Sequence, residues 1–448
     1  MFIQPFRIRN DVVLLNGTAR EFLNVADAIG HRICAQAVWH DDRCNWLGME
    51  PLERGSAGLQ PSATYRTLGP DLYSGTSGVA LFLAELFGET GDPLLRRTAV
   101  AAMRHALARA DAILPSSRLG LFSGWFGIAL VAARVWFLLG EEDLQTGARL
   151  LLQRAFAEKR EPDEFDLMSG RTGAIAALVV LNCIFDDLGL IDFAVRLADE
   201  LIETADKKIG YSWESPSLRN HHNLTGFSHG ASGPAYALLE LHEATGISKY
   251  REAALLAFEY ERHWFNAEIA NWPDFRKNPS SPSGKKHTYP YMTFWCHGAP
   301  GMALARLRAY EMTGNERFEA DAIAALKTTR ASIESALNSW AGNFSLCHGL
   351  AGNAEVLIYG AEILRAEREE NMAAALAVAR TGVERYAVNH SQWPCGTHTG
   401  ETPNLMLGMA GIGHYYLRLW QPTIPSILLL NKEAWSRRGA GLQSMTVS

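Results

Sequence analysis

The sequence is poor in cysteine: Cys34, Cys44, Cys183, Cys296, Cys347 and Cys395 are six in 448 residues, too few for a disulfide scaffold. In a chain of this kind, clustered cysteines point to metal binding or to reactivity. Long apolar runs are also missing. No stretch of about 18 uncharged apolar residues occurs, so no membrane span is expected. The first ten residues carry Arg7 and Arg9 where a secretory signal needs an apolar run, and a cytoplasmic protein is expected. Neither sign of charge dominates, with 42 Lys and Arg against 48 Asp and Glu, a net charge of -6 and no block of like charge. That balance argues against nucleic acid as a partner and against a polybasic membrane face. What is plentiful is core material: 48% of residues are hydrophobic and 10% aromatic, enough for a large folded unit.

Self-similarity organises the rest. A Gly-x-x-Gly followed by an apolar run occurs seven times, with first glycines at Gly75, Gly124, Gly170, Gly230, Gly298, Gly349 and Gly408. Their spacing, 46 to 68 residues, holds two helices and two loops per unit. Each Gly-x-x-Gly opens a helix apolar on every side, as in Val79–Phe87 and Ile128–Leu139, which is how a helix surrounded by neighbours reads. Thirteen residues beyond the second glycine stands another glycine in four units (Gly91, Gly140, Gly246, Gly314), predicting a left-handed C-terminal stop. An amphipathic, charged helix follows each inner one, for example Pro93–Leu107 and Glu316–Leu326. The expectation is an all-α protein, an (α/α) toroid or barrel of seven inner and about seven outer helices, and not an open solenoid, because glycines at every inner start let seven backbones meet at one end. The toroid is placed at residues 68–420. Before it, residues 1–67 include a helix candidate from Arg20 to Trp39 that closes the outer ring, and 421–448 form a C-terminal tail.

Three loops carry more than glycine: Phe227-Ser-His229-Gly230, Trp295-Cys296-His297-Gly298 and Leu346-Cys347-His348-Gly349. The copies at Gly75, Gly124 and Gly408 read as close packing alone. Two Cys-His-Gly copies at equivalent places in a ring must face each other or share its axis. Thiolate and imidazole are what Zn²⁺ prefers, and a catalytic zinc keeps three protein ligands and one open position. Cys296, Cys347 and one histidine make that set for a single zinc, and spacing alone leaves His297 and His348 as alternatives. Asp166 and His229 fall at the same end of the ring, where a carboxylate can orient an imidazole for proton transfer; the plainer reading is a helix cap and a core histidine. The stretch from Asn271 to Tyr291, with Arg276, reads equally as a substrate-side flap or as a plain loop.

The strings Gly226-Phe-Ser-His-Gly-Ala-Ser-Gly233, Trp295-Cys-His-Gly-Ala-Pro-Gly301, Leu346-Cys-His-Gly-Leu-Ala-Gly-Asn353 and Asn404-Leu-Met-Leu-Gly-Met-Ala-Gly411 resemble the lanthionine cyclases, most closely the C-terminal cyclase domain of the class II lanthipeptide synthetases. The resemblance runs from about Leu68 to Trp420. It implies a seven-plus-seven helical toroid, a zinc held by Cys296, Cys347 and His348, His229 as acid/base and Asp166 as its neighbour. Arg276, in the expected flap, and His297, beside the first zinc cysteine, are expected on the substrate side. It implies a dehydrated precursor peptide as partner, whose cysteine thiol adds to dehydroalanine or dehydrobutyrine. Only about seventy residues precede the first repeat, so a separate dehydratase, or a kinase and lyase, is the expected source of that peptide. Three rivals stand beside this reading. A helical-toroid glycosidase needs two carboxylates at the ring mouth, where only Asp166 stands. A related enzyme would add glutathione or another small thiol to dehydroamino acids in proteins. A zinc-stabilised scaffold would bind a peptide without transforming it.

Overall fold

The apolar runs behind the Gly-x-x-Gly motifs form seven helices in the computed structural model, which describes residues 16–51, 63–158, 164–216, 222–276, 289–339, 341–397 and 400–436. In chain order they alternate with amphipathic partners: α1 (Asn16–Ala35), α2 (Thr76–Thr90), α3 (Pro93–Ala108), α4 (Trp125–Leu139), α5 (Glu142–Ala157), α6 (Arg171–Asn182), α7 (Leu190–Glu203), α8 (Ser232–Thr245), α9 (Ser248–His263), α10 (Ala299–Thr313), α11 (Glu316–Ser339), α12 (Leu350–Ile363), α13 (Arg368–Gly382), α14 (Met409–Trp420) and the single turn α15 (Lys432–Trp435). The even-numbered helices are the inner ones. Each touches the next, and α14 returns to α2, so the ring is closed. Outside it, α3, α5, α7, α9, α11 and α13 each pack on the preceding inner helix, and α1 packs on α14.

Local chemistry sets the lengths. Gly91, Gly140, Gly246 and Gly314 end their helices at φ 64 to 73, a left-handed turn that costs glycine nothing. The outer helix α3 starts with Asp92 accepting from the Leu94 N–H at 2.8 Å and Pro93 in the first turn. The second glycine of each motif answers to close approach. A Cβ on Gly127 would stand 1.7 Å from the Leu121 carbonyl oxygen, and one on Gly301 2.1 Å from that of Trp295. The same contact, with the carbonyl six residues earlier, recurs in the other five copies.

Two features depart from the sequence reading. The N-terminal helix ends at Ala35, before Trp39; a turn at Asp41, with φ 54, then pairs β1 (Val38–His40) with β2 (Arg43–Asn45), and β3 (Leu47–Pro51) pairs with β4 (Ala63–Thr67). The segment after α14 is more than a tail. Its Ile424, Ile427, Leu428, Leu430 and Trp435 are buried. Its carbonyls accept from Arg418 (Ile424), Trp295 (Leu428), Tyr236 (Leu430) and Arg134 (Trp435), groups spread around the ring, which puts the segment on the axis. Three buried ion pairs join neighbouring inner helices beside it, Glu85–Arg134 at 2.7 Å, Glu240–Arg308 at 2.6 Å and Glu355–Arg418 at 2.6 Å. Residues 277–288 of the expected flap and 437–448 of the expected tail lie outside the described residues. Among the described residues no helix is long and apolar enough to cross a membrane.

Candidate functional site

The seven loops that start the inner helices repeat one register, and chemistry sits at two places in it. Two positions before the first glycine stand Tyr73, Phe122, Met168, Ser228, Cys296, Cys347 and Met406; His229, His297 and His348 follow in three successive loops. Backbone bonds tie loop to loop: Tyr73 N–H to the Phe122 carbonyl (2.9 Å), Phe122 to Met168 (3.0 Å), Leu167 to Ser228 (3.1 Å), Ser228 to Cys296 (3.3 Å), Cys347 to Met406 (3.0 Å) and Met406 to Tyr73 (3.0 Å). Among the described residues, the remaining step, from fifth loop to sixth, is made by side chains. The Cys296 and Cys347 thiols are hydrogen-bonded to each other, and Asn353 Nδ2 donates to the Thr293 carbonyl at 3.1 Å.

The ring thus brings the two cysteines together at its one side-chain junction. Both are buried and free of disulfides. Burial in apolar surroundings disfavours thiolates, yet the two respond in opposite directions. The hydrogen bond from Cys347 holds Cys296 below the usual thiol range against its burial, aided by the charges of Arg276 and His229. The same bond, with burial, pushes Cys347 well up. The Tyr73 phenol adds a hydrogen bond to Cys347 from the first loop, completing a chain from hydroxyl to thiol to thiol.

Next to this pair is a dyad. His229 Nδ1 lies 2.5 Å from Asp166 Oδ2, while Asp166 Oδ1 accepts from the Ser169 N–H at 2.7 Å. Asp166 is buried and the His229 ring is part-exposed. Burial works against the imidazolium, but the charge and hydrogen bond of Asp166 outweigh it, and the His229 pKa is raised above 6.5. The His297 ring stacks on His229 with centroids 5.5 Å apart and planes 19° apart; it is 1% exposed, and neither nitrogen makes a well-formed hydrogen bond. Burial, with the charges of Arg276 and His229 close by, lowers its pKa and keeps it neutral. Arg276 grips buried Asp274 in a fork, Nε to Oδ1 at 3.0 Å and Nη2 to Oδ2 at 2.8 Å, and its charge reaches both thiols. Thr225 Oγ1 fastens this strap by donating to the Pro273 carbonyl at 2.6 Å. Phe275 lines a cavity of about 540 Å³ together with Trp264, Tyr289 and Tyr291.

The donors present suit a soft cation. Two thiols, one already acidic, meet beside a third donor, His348. Its Nε2 lies 3.1 Å from the Gly396 carbonyl, so that nitrogen carries the proton and Nδ1 the lone pair, the arrangement by which a carbonyl orients a ligating imidazole. Among the described residues, however, no three His, Cys, Asp or Glu side chains converge on one point. Three residues escaped the sequence reading. Tyr73 was legible in principle, because it occupies the register position of the cysteines. Asp274, and Glu261 on α9, carry no motif.

The family model described as lanthionine synthetase C-like protein matches residues 66–429. Glutathione S-transferase LANCL1 of Danio rerio is 23% identical over 364 residues, 78% of this chain and 82% of the relative. Lacticin 481/lactococcin biosynthesis protein LcnDR2 of Lactococcus lactis subsp. lactis is 23% identical over 394 residues, 84% of this chain but only 38% of the relative's length. Among solved structures, nisin cyclase superposes with a TM-score of 0.58 at 17% identity, over 82% of this chain and 91% of the other, and shares the α/α toroid.

Proposed function

The chain belongs to the lanthionine synthetase C-like family, and from that membership we propose that it is a zinc-dependent cyclase closing thioether rings in a dehydrated ribosomal peptide. The observation that carries the reading is the thiol pair of Cys296 and Cys347 beside the His229–Asp166 dyad at one end of the ring. Cys296, Cys347 and His348 would hold the zinc, which when bound lowers the pKa of a substrate cysteine so that it is a thiolate at neutral pH. The rest falls to the protein. The peptide sulfur adds to the β-carbon of dehydroalanine or dehydrobutyrine, the carbon–carbon double bond opens toward the carbonyl, and the α-carbon of the enolate needs one proton. His229 is the acid, its raised pKa keeping a proton available near neutrality. Asp166 holds the ring with Nδ1–H inward, leaving Nε2 to face substrate. Arg276 places positive charge where the enolate oxygen develops, and buried Asp274 keeps the guanidinium from swinging away.

Purified protein incubated with a dehydrated, cysteine-containing peptide tests this. Ring closure leaves the mass unchanged and removes the thiol that N-ethylmaleimide would label. Full labelling after prolonged incubation with zinc-loaded protein refutes the reading. A second reading follows from LANCL1, whose name denotes glutathione transfer: the same site would add a small thiol to a dehydroamino acid. Glutathione offered beside the peptide separates the two, because adduct formation raises the mass and cyclisation does not.

A further inference from the structure

Some of the loops brace themselves in a way the His229 loop cannot. Four positions before the first glycine, the first, third and seventh loops carry Asp71, Asp166 and Asn404. Each side chain accepts from its own loop: Asp71 from the Ser74 N–H at 2.7 Å, Asp166 from Ser169 at 2.7 Å and Asn404 from Leu407 at 3.1 Å. The fourth loop has Gly226 at that place. Its φ is 119, and a Cβ there would stand 3.1 Å from the Cys296 carbonyl oxygen and 3.2 Å from His297 Nδ1, so a side chain would be both strained and crowded. Nor does α8 cap itself; Ala231 precedes it and has nothing to offer the first N–H groups.

We propose that Glu261, on the outer helix α9, is the positioning residue that supplies this missing brace and so fixes His229. A single oxygen, Oε1, accepts from the Gly226 N–H at 3.1 Å and the Ser232 N–H at 2.8 Å, the two ends of the turn that contains His229. Glu261 is fully buried, a costly place for a carboxylate without partners. Arg306, equally buried, supplies the opposing charge and donates to Ser232 Oγ at 3.2 Å. The Glu261 carbonyl accepts from Trp272 Nε1 at 2.9 Å, at the start of the strap bearing Asp274 and Arg276. One outer-helix residue therefore ties the loop of the acid to the strap of the guanidinium. A plain helix cap would stabilise α8 only; a positioning residue sets the orientation of an imidazole.

The proposal rests on the cyclase reading, and its test keeps the two apart. Because Oε2 makes no hydrogen bond among the described residues, Glu261→Gln preserves both accepted bonds, whereas Glu261→Met fills the volume and accepts neither. The Met variant is expected to lower kcat about 10-fold or more with KM within about twofold, and the Gln variant to stay within about threefold of the parent. The low-field imidazole N–H resonance of His229 bonded to Asp166 should persist in Gln and be lost or broadened in Met. Glu240→Gln, a buried carboxylate well below the loops, provides a destabilised control whose kcat should hold. Parental kcat in the Met variant, an unchanged His229 resonance, or an equal kcat loss in the Glu240 control at matched thermal stability overturns the proposal. Should the Met variant fail to fold, the Gln variant decides, since a kcat loss there as large as about 10-fold would show that the brace is not what matters. Parent protein that leaves the peptide open sinks the cyclase reading, while the His229 resonance still decides the role of Glu261.

Discussion

Asp166→Asn is the substitution that asks most of the dyad. Asp166 uses both oxygens, Oδ1 for the Ser169 N–H and Oδ2 for His229, and asparagine has one acceptor for the two tasks. If the amide oxygen stays with Ser169, its NH₂ faces His229 Nδ1 as a donor. The neutral ring must then carry its proton on Nε2, with Nδ1 facing a donor, so the imidazolium form that donates the proton is no longer stabilised. If the amide turns, the Ser169 N–H loses its partner, at about 1–3 kcal/mol. In either case the Asp166 charge that raises the His229 pKa is gone, and burial and the Arg276 charge are then opposed by the Cys296 charge alone, so that pKa should fall. The alkaline limb of the rate profile should move to lower pH. Removing a positioned acid typically costs about 10²- to 10⁴-fold, roughly 3 to 5 kcal/mol of barrier, and that bounds His229→Ala. Asp166→Asn should cost less, about 10- to 10²-fold, and the double variant should match His229→Ala alone because the effects act through one imidazole. Stability carries the same sign: a raised pKa contributes fully below pH 6.5 and fades as pH rises through it, so the gap between parent and Asp166→Asn in urea melts should be wider at acid than at alkaline pH. Single-turnover cyclisation followed by thiol labelling measures the rates. Parental rate in Asp166→Asn, or an alkaline limb that stays in place, refutes the reasoning.

Metal analysis of the parent should find about one zinc per chain, and Cys347→Ala should lose both metal and cyclisation while remaining helical; a metal-free, active parent would contradict this. Two glycines should respond in opposite directions. A Cβ on Gly88 in α2 would meet nothing within 4 Å, so Gly88→Ala should stabilise by roughly 0.5–1 kcal/mol, whereas Gly301→Ala forces a Cβ against the Trp295 carbonyl and should cost about 3 kcal/mol or more in thermal melts. Glu85→Ala leaves buried Arg134 without its carboxylate and should cost about 3–5 kcal/mol, while breaking the water-screened Arg104–Asp143 pair should cost far less.

What could be read in advance follows from the range of each interaction. The glycine stops, the apolar inner runs and the Cys-His-Gly copies depend on neighbours within one helix or loop, and a period makes them visible. The ring made Cys296 and Cys347 neighbours because the repeat put both at one register position. Glu261 was invisible for the opposite reason. It acts across elements, on backbone N–H groups that any sequence offers, and reads locally as one more charge on an amphipathic helix. The segment from Ile424 to Trp435 escaped in the same way, because its bonds are accepted by backbone carbonyls, and a carbonyl has no signature in the sequence. The end of α1 was misplaced because Trp39 suits either periodicity, and the turn at Asp41 decides for a strand.

That axial segment also bears on how a substrate reaches the thiols. Trp295, immediately before Cys296, is fully buried, with its Nε1 donating to the Leu428 carbonyl at 3.0 Å. Phe122 and Phe227 pack edge-on against it with ring centroids 5.1 and 6.0 Å away, forming an apolar floor under the loop ring. Beneath that floor the axial segment and three buried ion pairs fill the middle of the ring. On the proposed cyclase reading a peptide would therefore enter across the loop face, where the part-exposed His229 and Arg276 are also found. Trp295 thus joins the loop end, which bears the candidate site, to the axial segment that fills the middle of the ring.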